Sequence, residues 1–281
     1  LERSGALPGR RIRLDVECYN TVLIALSRCG EIDAPVRALT VLRRMTAMAD
    51  SDEQESVRPT AKSWNSVLNA FSRTRRPGIP QKAETVLNMM HESGCRPDVF
   101  SFAAVLHAHQ KNPGPGTARR ADDIVRRMEE LRDCGELTAG PDVFHYTIAC
   151  ACWARSGEED AARRCGEMLR RMDRRWREEG DEGVRPNVRT YNAVIDAYAR
   201  GGDAETAEAL LRRMIRQYEC GEDDGVRPDA FTFNAVINAW TRRGDENPDA
   251  GRRAEAVLGR LLRFHRDGNP DVRPDARSFA H

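Results

Sequence analysis

A short signature ending in proline plus one small polar residue returns six times along this chain. It reads Val57-Arg58-Pro59-Thr60, Cys95-Arg96-Pro97-Asp98, Gly140-Pro141-Asp142, Val184-Arg185-Pro186-Asn187, Val226-Arg227-Pro228-Asp229 and Val272-Arg273-Pro274-Asp275. Its prolines stand 38, 44, 45, 42 and 46 residues apart. A period of this size marks stacked supersecondary units, and it overrides the two-domain expectation that a length of 281 residues would raise. Four residues after each signature comes an aromatic: Trp64, Phe102, Tyr146, Tyr191, Phe233 and Phe279, with Tyr19 in the same role in the first unit.

From each aromatic, apolar residues continue at the third, fourth and usually seventh position, as in Tyr191, Val194, Ile195 and Tyr198 or Phe233, Val236, Ile237 and Trp240. That spacing is one face of an α-helix. About 20 residues further on, a second set repeats the spacing, as in Ala83, Val86, Leu87 and Met90 or Ala207, Leu210, Leu211 and Met214. Breakers such as Ser156-Gly157 and Gly201-Gly202 separate the two helices. Polar, glycine-containing stretches then lead to the proline, whose ring disfavours helix in the residue before it. One helix pair cannot bury both apolar stripes alone, so neighbouring units must stack. The expected class is all-α, a solenoid of helix-turn-helix repeats, whose winding the periodicity leaves open. Its units are a lead-in over 1–15, repeats over 16–60, 61–98, 99–142, 143–187, 188–229 and 230–275, and the start of a truncated repeat over 276–281.

Composition agrees with helices: 40% hydrophobic, only 6% aromatic and 32% charged residues. With 45 Lys and Arg against 44 Asp and Glu, the net charge of +1 points to no class of partner, so only the placement of charge is informative. The eight cysteines form no CxxC and no zinc spacing with histidine, and Cys150 and Cys165 fall where other repeats are apolar. Buried, reduced thiols in a reducing compartment are expected, with no metal site. No apolar run approaches the length of a membrane span and no signal peptide opens the chain, so a soluble protein without membrane insertion is expected. The start at Leu1 and the stop within a repeat suggest a segment of a longer protein.

One pattern concerns charge placement directly. Nine residues after each aromatic the chain carries Arg28, Arg73, Lys111, Arg155, Arg200 and Arg242. A cation at the end of a helix stabilises it by about 0.3–1 kcal/mol, but one per repeat on the same edge also forms a stripe able to track a phosphate backbone. The six histidines are scattered, and no HExxH, GxSxG, Walker or GxGxxG pattern occurs. No enzyme activity, cofactor or small-molecule substrate is expected.

At Thr190-Tyr191-Asn192-Ala193-Val194-Ile195-Asp196-Ala197-Tyr198 and Val226-Arg227-Pro228-Asp229 the chain resembles the pentatricopeptide repeat family, and the likeness runs from residue 16 to 281. It departs in length, with units of 38 to 46 residues instead of about 35, the excess lying between the second helix and the proline. The resemblance implies a right-handed superhelical solenoid that binds single-stranded RNA at one base per repeat. It implies that the base is read by the residue after each aromatic and the residue after each signature proline. These are Asn20 with Thr60, Asn65 with Asp98, Ala103 with Asp142, Thr147 with Asn187, Asn192 with Asp229, and Asn234 with Asp275. It also implies base stacking two residues before the aromatic, at Phe100, Phe144, Arg189 and Phe231, whereas Glu17 at that position suits no base. A mitochondrial or plastid location and a role in transcript stabilisation, processing or translation follow from the resemblance alone. The alternative is a helical scaffold for a protein partner, for example among organellar ribonucleoprotein components.

Overall fold

The computed structural model describes residues 15–50, 55–221, 223–243, 247–267, 269, 272 and 273. Asp275 and the truncated repeat over 276–281 lie outside the described residues, as does nearly all of the lead-in. Among the described residues there are twelve α-helices, three short 3-10 turns and no strand. The helices are α1 (Val16–Arg28), α2 (Ala34–Asp50), α3 (Ala61–Arg73), α4 (Ile79–Glu92), α5 (Val99–Lys111), α6 (Thr117–Asp133), α7 (Val143–Ser156), α8 (Ala161–Glu179), α9 (Val188–Arg200), α10 (Ala204–Glu219), α11 (Ala230–Arg242) and α12 (Ala250–Arg266). They form two compact units divided inside α5, one up to Ala108 and the other from His109 onward.

The signature residue after each proline begins the odd-numbered helices. Asp98 Oδ1 accepts the Ser101 amide at 2.9 Å, Asp142 Oδ1 the Phe144 amide at 2.9 Å, Asn187 Oδ1 the Thr190 amide at 3.2 Å, and Asp229 Oδ1 the Thr232 amide at 2.9 Å. Each satisfies a backbone donor that the first helical turn leaves free, a contribution of about 1 kcal/mol. At the other end, Gly157 and Gly180 close α7 and α8 with φ of 70°, the left-handed region that glycine enters without steric cost.

Within the first unit, α1 packs on α2 and α3, and α3 on α2 and α4; in the second, α7, α9 and α11 pack in sequence on one another as well as on their partners α8, α10 and α12. The core is the periodic set. Trp64, Phe102, Tyr146, Tyr191 and Phe233 are all 2% exposed or less, and the signature valines Val57, Val184 and Val226 are equally buried. Each such side chain contributes about 1.5–3 kcal/mol by leaving water. Cys150, Cys152 and Cys165 are in the core as well. Burial pushes the Cys152 thiol up to about 12, and a hydrogen bond to Cys150 together with burial raises Cys165, so neither supplies a reactive thiolate near neutral pH.

Several of the acidic residues that balance the many arginines are paired with them in the second unit. The even-numbered helices there are joined by ion pairs between successive repeats: Arg171 to Asp122 at 3.3 Å, Arg213 to Asp173 at 2.7 Å, and Arg253 and Arg260 to Glu208 at 3.5 and 3.4 Å. The odd-numbered helices there are joined by side-chain hydrogen bonds instead, Thr147 to Thr190 and Thr232 to Asn192.

The extra repeat length is not confined to the stretch before the proline, which corrects the sequence expectation. Pro141 to Pro186 spans 45 residues against 38 for Pro59 to Pro97, a difference of 7. Helix α8 has 19 residues against 14 for α4, which absorbs 5 of those 7. Odd-numbered helices hold 13 or 14 residues throughout, from α3 to α7 and α11. Length varies on the even-numbered helices and their exits while the odd-numbered ones keep one register. No helix among the described residues is long and apolar enough to cross a membrane.

Candidate nucleic-acid interface

The residue after an aromatic lies in the second turn of an odd-numbered helix, and the residue after a signature proline caps the next odd-numbered helix. Stacking brings the two together. In the first unit Asn65 Nδ2 donates to Asp98 Oδ1 and Oδ2 at 3.1 and 3.0 Å. In the second unit Asn192 Nδ2 donates to Asp229 Oδ1 and Oδ2 at 3.2 and 3.0 Å. The same fork, built twice from residues 33 and 37 positions apart, leaves a carboxylate edge able to accept a further hydrogen bond.

The other expected pairs are arranged differently. Asn20 is 1% exposed, and its Nδ2 is buried without a hydrogen-bond partner, because Thr60 in the capping position offers no carboxylate. Thr147 and Asn187 are both half-buried, and Asn187 Oδ1 is occupied by the amides of Arg189 and Thr190 at 3.0 and 3.2 Å. Ala103 and Asp142 belong to different units. Asp142 caps α7, with His145 Nδ1 2.6 Å from its Oδ1. Burial would raise the Asp142 carboxyl, but the hydrogen bond and charge of His145 and the first-turn amides outweigh it and hold the carboxyl below its usual range. Asn234 is 8% exposed, and its expected partner Asp275 lies outside the described residues.

Sequence reasoning overlooked one further set of contacts. The residue directly before the aromatic reaches back to the residue that follows the aromatic of the preceding repeat. Ser63 Oγ donates to Asn20 Oδ1 at 2.7 Å, Ser101 Oγ to Asn65 Oδ1 at 2.6 Å and Thr232 Oγ1 to Asn192 Oδ1 at 2.6 Å, while Thr190 Oγ1 meets Thr147 Oγ1 at 2.8 Å. The signal was present: Ser63, Ser101, Thr190 and Thr232 share one position in the repeat, and all four are hydroxyl residues that the apolar pattern does not require.

Two residues before the aromatic, in the first turn of the odd-numbered helices, stand exposed rings: Phe100 at 73%, Phe144 at 42% and Phe231 at 51%. Arg189 is exposed at the same position of α9. In the first two repeats this position holds a surface ion pair instead, Lys62 Nζ donating to Glu17 Oε2 at 2.9 Å. The expected cations end their helices: Arg28, Arg73, Arg155 and Arg242 are exposed in the last turns of α1, α3, α7 and α11, and Lys111 is half-buried at the end of α5. Arg200 is also exposed and pairs with Asp196 at 2.9 Å. These three sets meet between α9 and α11, where a groove of about 320 Å³ is lined by Arg200, Phe231, Asn234 and Arg242 among others. Among the described residues no group of three or more His, Cys, Asp or Glu is placed to hold a metal ion.

Family models described as PPR repeat match residues 62–95 and 182–215, one in each unit. A pentatricopeptide repeat-containing protein of Arabidopsis thaliana is 24% identical over 190 residues, which cover 68% of this chain and 28% of that protein. The chain thus spans little more than a quarter of that relative's length. Among solved structures, the pentatricopeptide repeat protein PPR10 in complex with an 18-nucleotide psaJ RNA element is 20% identical with a TM-score of 0.47, covering 96% of this chain and 37% of PPR10. PPR10 from maize, in another crystal structure, is 21% identical with the same TM-score, covering 95% and 36%. Models of the PPR repeat thus match one stretch in each unit, and the proline signature recurs between and beyond those stretches.

Proposed function

We propose that this chain binds single-stranded RNA, one base per repeat, along the odd-numbered helices, and that it acts on an organellar transcript in stabilisation, processing or translation. The observation that carries the proposal is the groove between α9 and α11. An exposed ring for stacking, a reader amide and two cations come together there in a space of nucleotide size. The matches to PPR repeat models in both units support the reading, and the organellar role rests on that likeness alone.

Hydrogen-bond chemistry then suggests the bases. A carboxylate only accepts, so the Asn65–Asp98 and Asn192–Asp229 forks suit bases with an imino N–H, and the long asparagine favours the smaller uracil over guanine. Asn187 has its oxygen committed to the helix cap and presents Nδ2, a donor that fits the ring nitrogen of adenine beside the short Thr147. Read 5′ to 3′ from the first repeat, the target is pyrimidine, U, G, A, U, U. The first base is the weakest position, given the buried Asn20 and the Glu17–Lys62 ion pair.

The basic edge makes a separate prediction. If each cation neutralises one phosphate, affinity falls with salt at a slope of about −0.7 per contact. Replacing both Arg155 and Arg200 by Gln is expected to flatten the slope by about 1.4 without altering base preference. Titrations of one RNA at several salt concentrations measure this directly, and an unchanged slope would remove the edge from the binding site.

A further inference from the structure

We infer that the hydroxyl residue directly before each repeat aromatic is a specificity-positioning residue for the preceding repeat: Ser63 for Asn20, Ser101 for Asn65, Thr190 for Thr147 and Thr232 for Asn192. The inference rests on the RNA-reading proposal and deepens it, because it places part of each repeat's base choice in the next repeat.

The polarity of the contact carries the argument. In each case the hydroxyl oxygen already accepts the backbone N–H of its own helix cap: Thr60 to Ser63 at 3.1 Å, Asp98 to Ser101 at 3.1 Å, Asn187 to Thr190 at 3.5 Å and Asp229 to Thr232 at 3.2 Å. The single hydroxyl proton then faces two acceptors, and the contact to the preceding repeat is the shorter: 2.6 Å from Thr232 to Asn192 against 2.8 Å to Asp229, and 2.6 Å from Ser101 to Asn65 against 3.0 Å to Asp98. For Asn192 this commits Oδ1 as the acceptor and turns Nδ2 toward the Asp229 carboxylate. A flipped amide would set its oxygen against the carboxylate and give up the bond that the Thr232 hydroxyl donates. The latch thus fixes which edge the reader shows: an N–H donor beside a carboxylate acceptor, the complement of uracil's carbonyl and imino N–H. Cytosine, whose ring nitrogen is an acceptor, meets the carboxylate lone pair against lone pair.

The sequence shows the same dependence. A hydroxyl residue follows every polar reader, including Ser278 after Asn234 outside the described residues, and the exception is His145, which follows Ala103, the one reader with no polar atom to hold. A residue kept only to cap its own helix would have no reason to change where the preceding repeat's reader loses its amide.

The test uses the whole chain with Thr232→Val, which keeps the shape but deletes the hydroxyl, and Thr232→Ser, which restores it. RNAs differing only by U or C at the fifth base are titrated against wild type and both variants. Thr232→Val is expected to lose about tenfold of the U-over-C preference, and Thr232→Ser to recover it. A role confined to the helix cap would weaken binding to both RNAs equally and leave the ratio intact, which overturns the inference. A second readout needs no RNA: the Asn192 side-chain amide resonances should sharpen their separation and exchange slowly in wild type and in Thr232→Ser, and broaden in Thr232→Val. Unchanged Asn192 resonances also overturn the latch. A wild type that binds neither RNA defeats the RNA-reading proposal itself, and with it the specificity role.

Discussion

Asn187→Asp is expected to reverse the preference of the fourth repeat from adenine to guanine, a swing of about 1–3 kcal/mol at that nucleotide. The reason lies in how the side chain is divided. Its Oδ1 caps α9 through the Arg189 and Thr190 amides, and aspartate keeps that bond with either oxygen. Only the other atom changes, from a donor to an acceptor of nearly equal size. Adenine's ring nitrogen then faces a lone pair, while the N–H of guanine gains a partner. The helix should not suffer, because a negative charge in its first turn interacts favourably with the dipole. Preferences at the other repeats should be intact, since contacts are local to neighbouring units. Paired titrations of wild type and variant against RNAs differing by A or G at the fourth position give the answer. If both proteins rank the RNAs in the same order, Asn187 does not read the base.

Glu208→Ala is expected to destabilise the second unit by about 3 kcal/mol. This carboxylate, only 3% exposed, joins three helices. It pairs with Arg212 on its own helix and with Arg253 and Arg260 of α12, and it accepts the indole N–H of the buried Trp240 at 3.1 Å. Truncation leaves three guanidinium groups facing one another and a buried N–H without an acceptor. Because the arginines are 36–49% exposed, the loss falls at the low end of what a broken buried pair costs. Glu208→Gln keeps an acceptor for Trp240 and should cost about half as much. Urea unfolding of the three proteins measures both, and a change under about 1 kcal/mol for Glu208→Ala would show that the arginines are held by other means.

Much of this was legible in the sequence because the repeat wrote it several times. The apolar spacing after Tyr191 or Phe233 names core residues, and Tyr191, Val194, Ile195, Phe233, Val236 and Ile237 are all buried. A single copy would have been ambiguous, but six copies in one register are not. Exposure of Phe100, Phe144 and Phe231 was also implied, since an aromatic two residues before the core aromatic falls off the apolar face. What sequence did not yield depends on contacts between repeats. The reach of Thr232 to Asn192 crosses 40 residues, and a hydroxyl before an aromatic looks like an ordinary cap until the neighbouring helix is in place. The burial of Asn20 and the ion pair of Glu17 with Lys62 arise in the same way, from which repeat stands next. The extra length was placed wholly before the proline because the apolar spacing stops at Met172, whereas α8 runs on to Glu179, with Arg175 bonded to Asp181 at 2.6 Å and to the Pro141 carbonyl.

Selection of bound sequences from a random RNA pool by the purified chain decides whether the repeats read RNA one base each. The expected result is enrichment of one motif of about six nucleotides, one per repeat, with uracil at the second and fifth positions, adenine at the fourth, and the weakest constraint at the first. A pool that returns without enrichment, or a motif in which cytosine serves as well as uracil at the second and fifth positions, would contradict it and leave the odd-numbered helices as a surface for a protein partner.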